Sequence, residues 1–131
     1  MEHITVLNVL NKSSHEVATY LNSTVLASPL PQYSANHTAY SQEIAPLLPV
    51  YANNKAFVTS LYLIVYSAYY TMKIAKSEKS DGYSESKHKD LEAASEILLR
   101  TIYALDALYA SASRMLTTTL SDNKSRDVYG Y

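Results

Sequence analysis

Apolar positions recur every three or four residues over most of this chain, the spacing of a helix with one buried stripe rather than the alternation of a strand. Four such stretches stand between breaks. The first covers residues 4–27, with Ile4, Leu7, Leu10, Val17, Leu21 and Val25 on its apolar side, and ends where Pro29 and Pro31 forbid continuation. A shorter one over residues 34–45 stops at Pro46 and Pro49. The third, residues 50–76, has an apolar face of Phe57, Leu61, Ile64, Ala68, Met72 and Ala75 beside a second face of Val58, Tyr62, Tyr66 and Tyr69. Its β-branched residues would suit a strand, but its length and its faces predict a helix.

A polar run over residues 77–84, containing Asp81-Gly82, reads as a turn. The fourth stretch, residues 85–120, has the most continuous stripe: Leu91, Ala94, Leu98, Ile102, Leu105, Leu108, Ala112 and Met115. It offers Glu96 and Arg100 as an i,i+4 ion pair, and would be roughly 50 Å long. Residues 121–131 show no periodicity and are expected to form a flexible tail. The expected fold is all-α: an elongated antiparallel four-helix bundle, three helices long and one short, in a single domain over residues 1–120.

Composition supports a packed domain, since 47% of the residues are apolar. With no cysteine, disulfides, thiolate metal sites and a cysteine nucleophile are excluded. Only Gly82 and Gly130 are glycines, which excludes most phosphate-cradling loops. The net charge of −1 gives no electrostatic reason to expect strong nucleic-acid binding or a polybasic membrane anchor. The opening Met1-Glu2-His3-Ile4 has no basic n-region and no unbroken apolar run, so no signal peptide is expected. The most apolar stretch, residues 56–70, is too short and too interrupted by hydroxyls for a transmembrane span and predicts a buried helix.

Two further features change the picture. The chain has 13 tyrosines against the single Phe57, and hydroxyls rather than ions make much of its surface polar, which suits an acidic or harsh extracellular setting. Charge is also uneven: residues 1–72 contain only Lys12, Lys55, Glu2, Glu16 and Glu43. That half of the chain therefore has surface that must meet something less polar than water. The tyrosines beside the core face of the third helix, Tyr62, Tyr66, Tyr69 and Tyr70, together with Tyr103 and Tyr109 on the fourth, form a candidate assembly interface. Boundary packing with hydroxyls in water is the other reading.

Candidate chemistry is sparse. Glu85-x-x-His88 is half of a di-iron carboxylate motif, but no second copy exists, and a carboxylate at a helix start is favoured by the dipole anyway. His3, His15 and His37 are isolated, and no Gly-x-Ser-x-Gly elbow is present. Asp106 is an acid within the apolar part of the fourth helix without a visible partner. No enzyme activity, cofactor or metal is expected. Asn-x-Ser/Thr sequons occur at Asn11, Asn22, Asn36 and Asn123, and glycosylation is sterically easiest at Asn36 and Asn123, the two outside the expected long helices.

A tyrosine-, serine- and threonine-rich, cysteine-free helical chain with the opening Met1-Glu2-His3-Ile4-Thr5-Val6-Leu7 and the aromatic segment Leu61-Tyr62-Leu63-Ile64-Val65-Tyr66 resembles the virion structural (coat) proteins of large spindle-shaped viruses of hyperacidophilic archaea, the bicaudaviruses such as Acidianus two-tailed virus. The resemblance is one of overall character and carries no site motif. It implies a helical subunit that self-assembles with copies of itself and other virion proteins into the coat, made in the host cytoplasm and found in the extracellular particle. The alternative, from a different class, is a small helical subunit of a nucleoprotein complex, with Lys73, Lys76, Lys79, Lys87 and Lys89 facing nucleic acid. Contact with nucleic acid stays open at this point.

Overall fold

The computed structural model describes residues 4–32 and 37–129, with side chains at 4–32 and 40–117. Every regular element among these residues is helical. Helix α1 spans Ser14–Tyr20 and runs on into a π-helical turn, Leu21–Val25; α2 spans His37–Ile44, α3 Leu47–Ser77 and α4 Glu85–Tyr129. The chain thus contains three helical rods, at residues 14–25, α3 and α4, and the short α2.

Helix α3 starts earlier than its prolines suggest. Pro46 is its N-cap and Pro49 lies in its first turn, where the missing N–H would have no helical partner in any case. Pro49 therefore belongs to the start of α3 and does not separate it from α2. The strand-prone Thr59 and Thr71 are accommodated by bonding back one turn, Thr59 Oγ1 to the Lys55 carbonyl at 2.7 Å and Thr71 Oγ1 to the Ser67 carbonyl at 3.0 Å. At its far end the Ser80 N–H reaches the Ala75 carbonyl at 2.9 Å and the Lys79 N–H reaches the Lys76 carbonyl at 3.2 Å. These two bonds are those of a Schellman stop, and its left-handed residue is Lys79, at φ 53°.

After the turn, α4 returns along α3. Met72 lies against Ser84, Tyr69 against His88 and Lys55 against Asp106, a pairing order that makes the two helices antiparallel. The buried line on α3 is Tyr51, Val58, Leu61 and Val65, between the two faces expected from the sequence. On α4 it is Leu91, Ala94, Leu98, Leu105 and Ala112, all on the expected stripe. At about 1.5 Å per residue the 45 residues of α4 make a rod of roughly 65 Å. It continues nine residues past the expected end at Leu120, so much of the segment expected as a tail is helical backbone. The expected Glu96–Arg100 ion pair is replaced by a bond from Arg100 Nε to the Glu96 backbone carbonyl at 3.4 Å.

The N-terminal segment departs most from expectation. Instead of one helix over residues 4–27, Asn8 Oδ1 accepts the Thr5 N–H at 2.7 Å, a short 3₁₀ turn follows at Val9–Asn11, and Lys12 is extended. Ser13 then caps α1, its Oγ accepting the Glu16 N–H at 3.2 Å. Val17, Leu21 and Val25 form the buried line, each four residues from the last. On a pure α-helix such positions run ahead by about 40° per step. The wider π turn, closed by the Leu26 N–H on the Leu21 carbonyl at 2.9 Å, rotates less per residue and brings Val25 back into line.

Polar bonds tie this segment to the hairpin. The Ser14 N–H donates to Asp90 Oδ1 at 2.9 Å and Lys87 Nζ to the Leu10 carbonyl at 2.8 Å, near the turn. Asn54 Nδ2 donates to the Val25 carbonyl at 3.3 Å and the Tyr51 hydroxyl to the Ser28 carbonyl at 2.7 Å, far from it. The rod at 14–25 therefore runs in the same direction as α4. Tyr40 and Ile44 of α2 are buried in the same core, and the Tyr40 hydroxyl lies 2.9 Å from Met115 Sδ on α4. No helix among the described residues is long and apolar enough to cross a membrane.

Candidate functional site

The uncharged stretch between Lys55 and Lys73 presents two surfaces. One faces the seam with α4. Tyr62, Tyr66 and Tyr69 recur at helical spacing, so their rings meet: Tyr62 and Tyr66 are stacked with centroids 5.6 Å apart, and Tyr66 and Tyr69 are tilted at 6.1 Å. Across from them α4 contributes Glu92, Ser95, Glu96 and Leu99, and the two helices enclose a groove of about 210 Å³. The Ser95 hydroxyl is buried there without a hydrogen-bond partner.

The ring series continues to His88, whose ring lies 5.3 Å from Tyr69 and 5.6 Å, edge-on, from Tyr83. The Tyr83 hydroxyl sits 3.3 Å from His88 Nδ1, while His88 Nε2 is buried and unpartnered. The two ends of Glu85-x-x-His88 part company here: His88 turns inward and Glu85 pairs with Lys89 at 3.4 Å on the exposed face. No three His, Asp or Glu side chains come together as a metal site among the described residues. His15 is exposed, and the side chains of His3 and His37 lie outside the described residues.

Asp106 does have a partner, one that the sequence hid 51 positions away: Lys55 Nζ lies 2.6 Å from its Oδ1. Both side chains are about half exposed, which limits the pair to roughly 0–1 kcal/mol. With Tyr51, Ala52 and Tyr109 they border a second hollow of about 160 Å³, where the charges are matched.

The other surface of the uncharged stretch faces outward. Leu63, Tyr66 and Tyr70, with Ile74 just past Lys73, fall on one side of α3 and are 59%, 44%, 52% and 42% exposed. The six tyrosines expected as an assembly face are therefore divided. Tyr62, Tyr66 and Tyr69 line the groove, Tyr66 also reaches the outer stripe, and Tyr70 belongs to that stripe alone. Tyr103 and Tyr109 are exposed but six residues apart on α4, about 120° around it, and share no face. Ser95 and the buried His88 could be found only from the packing of α4 on α3, because their apolar neighbours look like any other helix stripe.

Of the lysines near the turn, Lys87 is held by the Leu10 carbonyl and Lys89 by Glu85. Among the sequons, Asn11 and Asn22 are exposed, and Asn11 lies in the 3₁₀ turn rather than in a long helix. Asn36 lies outside the described residues. Asn123 falls within the span of α4 and not beyond a helix end, and its side chain lies outside the described ones. No protein-family model, no curated protein and no solved structure matches the chain.

Proposed function

We propose that this protein is a non-catalytic structural subunit that assembles with copies of itself, and with other virion proteins, into a virus coat of the bicaudavirus kind. The observation that supports this reading is the outer stripe of α3, where Leu63, Tyr66, Tyr70 and Ile74 stand in water. An uncharged row of this kind gains when a second copy covers it, at about 25 cal/mol per Å² of apolar surface. From Leu63 to Tyr70 it also meets no like-charge repulsion, since no ion lies between Lys55 and Lys73. Tyrosine suits such a contact, with a large flat ring and a hydroxyl tip that can pair or stay wet. In this reading the subunit is an elongated antiparallel four-helix bundle, made in the host cytoplasm and carried in the extracellular particle.

Sedimentation velocity and negative-stain microscopy across protein concentration, at neutral and acidic pH, test it. The wild type is expected to form ordered assemblies as concentration rises. A Leu63→Lys/Tyr70→Lys variant should keep its helical circular dichroism and remain monomeric. A wild type that stays monomeric throughout would overturn the reading. Nucleic-acid binding with a steep salt dependence would support the nucleoprotein alternative instead.

A further inference from the structure

We propose that the outer face of α3 pairs with the same face of a second copy, the two helices running antiparallel about a two-fold axis level with Val65. The inference rests on the assembly reading and names the contact through which two subunits join. The buried lines of the hairpin repeat every seven residues, at Tyr51, Val58 and Val65 on α3 and at Leu91, Leu98, Leu105 and Ala112 on α4. A helix held to that period keeps its opposite side in line as well. On α3 that side reads Ala56, Ser60, Leu63, Ser67, Tyr70 and Ile74, in alternating steps of four and three, and every one of these residues is exposed. This is the spacing of a seam between two helices, and here it stands in water.

Residue size sets both direction and register. Large and small side chains alternate along the seam, so a parallel partner would set Leu63 against Leu63 and Tyr70 against Tyr70, with facing serines between them. Reversed about Val65, Leu63 faces Ser67 of the second copy, Tyr70 faces Ser60 and Ile74 faces Ala56, a large side chain over a small one each time. Sliding the partner by one heptad spoils this match, setting Leu63 against Ile74 in one direction and Ser67 against Ala56 in the other. Ser60 can be covered at little cost, because its hydroxyl already donates to the Ala56 carbonyl at 3.1 Å. Charge favours the same arrangement. It brings Lys73 level with Phe57 of the second copy and Lys55 level with Ala75, and Lys55 is already matched by Asp106 of its own chain. A parallel pair would bring Lys73 and Lys76 level with the same lysines of the second copy.

Sedimentation velocity over a range of concentrations tests the pairing, on full-length variants whose helical circular dichroism matches the wild type. Ser67→Leu adds apolar surface to an exposed stripe and would tighten a parallel or non-specific contact. Against Leu63 of the second copy it overfills the seam, so association should weaken at least about tenfold. Leu63→Ser/Ser67→Leu exchanges the two sizes and should return association to within about threefold of the wild type. Ser60→Cys, in a chain with no other cysteine, should form no disulfide with the same position of the second copy, since the two lie about ten residues, roughly 15 Å, apart along the axis. A wild type that never associates would overturn the coat reading and the pairing together. If the wild type associates, three results would each overturn the pairing alone: Ser67→Leu associating as tightly or more tightly, no recovery in the exchange variant, or a disulfide between Ser60→Cys subunits.

Discussion

Moving one glycine along the turn between α3 and α4 should stabilise the protein, and the size of the effect follows from the turn's geometry. Lys79 occupies the left-handed region at φ 53°, where a side chain costs roughly 1–2 kcal/mol and glycine costs nothing. The bonds that define the stop, Ser80 N–H to Ala75 carbonyl and Lys79 N–H to Lys76 carbonyl, are backbone only and survive any residue that keeps an N–H. Gly82, three residues on, is not in that region, and a Cβ there would meet only Ser80 Oγ at 3.7 Å, an ordinary contact. Lys79→Gly alone relieves the strain but loosens the unfolded chain, offsetting about 0.4–1 kcal/mol. The double variant Lys79→Gly/Gly82→Ala keeps the glycine count constant, so the unfolded-state contribution nearly cancels. Urea unfolding should then show a gain of about 1–2 kcal/mol, with the thermal midpoint rising by about 4 °C per kcal/mol. A double variant less stable than the wild type would refute this account of the turn.

Tyr51→Phe removes the bond to the Ser28 carbonyl and should cost about 1 kcal/mol at neutral pH. Burial raises the Tyr51 hydroxyl above the ordinary value of about 10, so above that pH the unfolded chain loses its proton first and stability falls. The wild type's advantage over Tyr51→Phe should therefore shrink between pH 9 and 11 in denaturant titrations, and a constant gap would contradict the assignment. His88→Phe keeps the ring contacts with Tyr69 and Tyr83 and removes the orphaned Nε2 together with the Nδ1 contact to the Tyr83 hydroxyl, so the two changes offset and stability should stay within about 1 kcal/mol of the wild type. Leu98→Ala, at a fully buried position, should cost about 2.7–5 kcal/mol, whereas Leu63→Ala on the outer stripe should stay within about 0.5 kcal/mol and act on association alone.

Long periodic helices were the most legible part of the fold. The stripe of α4 and the end of α3 follow from apolar spacing, because a rod packed along one side must repeat its buried residues every three or four positions. The N-terminal segment defeated the same logic. Ile4, Leu7 and Leu10 have helical spacing, yet Leu7 is 94% exposed and Val9 is buried, since Asn8 and Ser13 offer side-chain oxygens to the backbone and end the regular pattern between them. Ser13-x-x-Glu16 is a capping box that marks the start of α1, a signal that apolar spacing alone passes over. The groove was half legible. Its tyrosines share a face of α3, but Glu92, Ser95 and Glu96 join them only once the register of α4 against α3 is known.

That division bears on why the chain uses tyrosine where phenylalanine would pack as well. Pro29 and Pro31 break the backbone before α2, so carbonyls in this stretch lack the helical N–H that would bond them. The Tyr51 hydroxyl donates to one of these carbonyls, at Ser28, at 2.7 Å, and the Tyr40 hydroxyl, 2.9 Å from Met115 Sδ, lies 3.5 Å from another, at Pro31. Phenylalanine would fill the same space and leave them to water. On the outer stripe, Tyr70 has no such bond, and its hydroxyl keeps an apolar row soluble until a neighbour covers it. In the groove, the rings of Tyr62 and Tyr66 stack, that of Tyr69 tilts against Tyr66, and Glu92 and Glu96 line the other side. Replacing each set with phenylalanine should therefore separate two properties, folding stability at Tyr40 and Tyr51 and solubility of the free subunit at Tyr70, with little change at the groove, where the rings pack on one another.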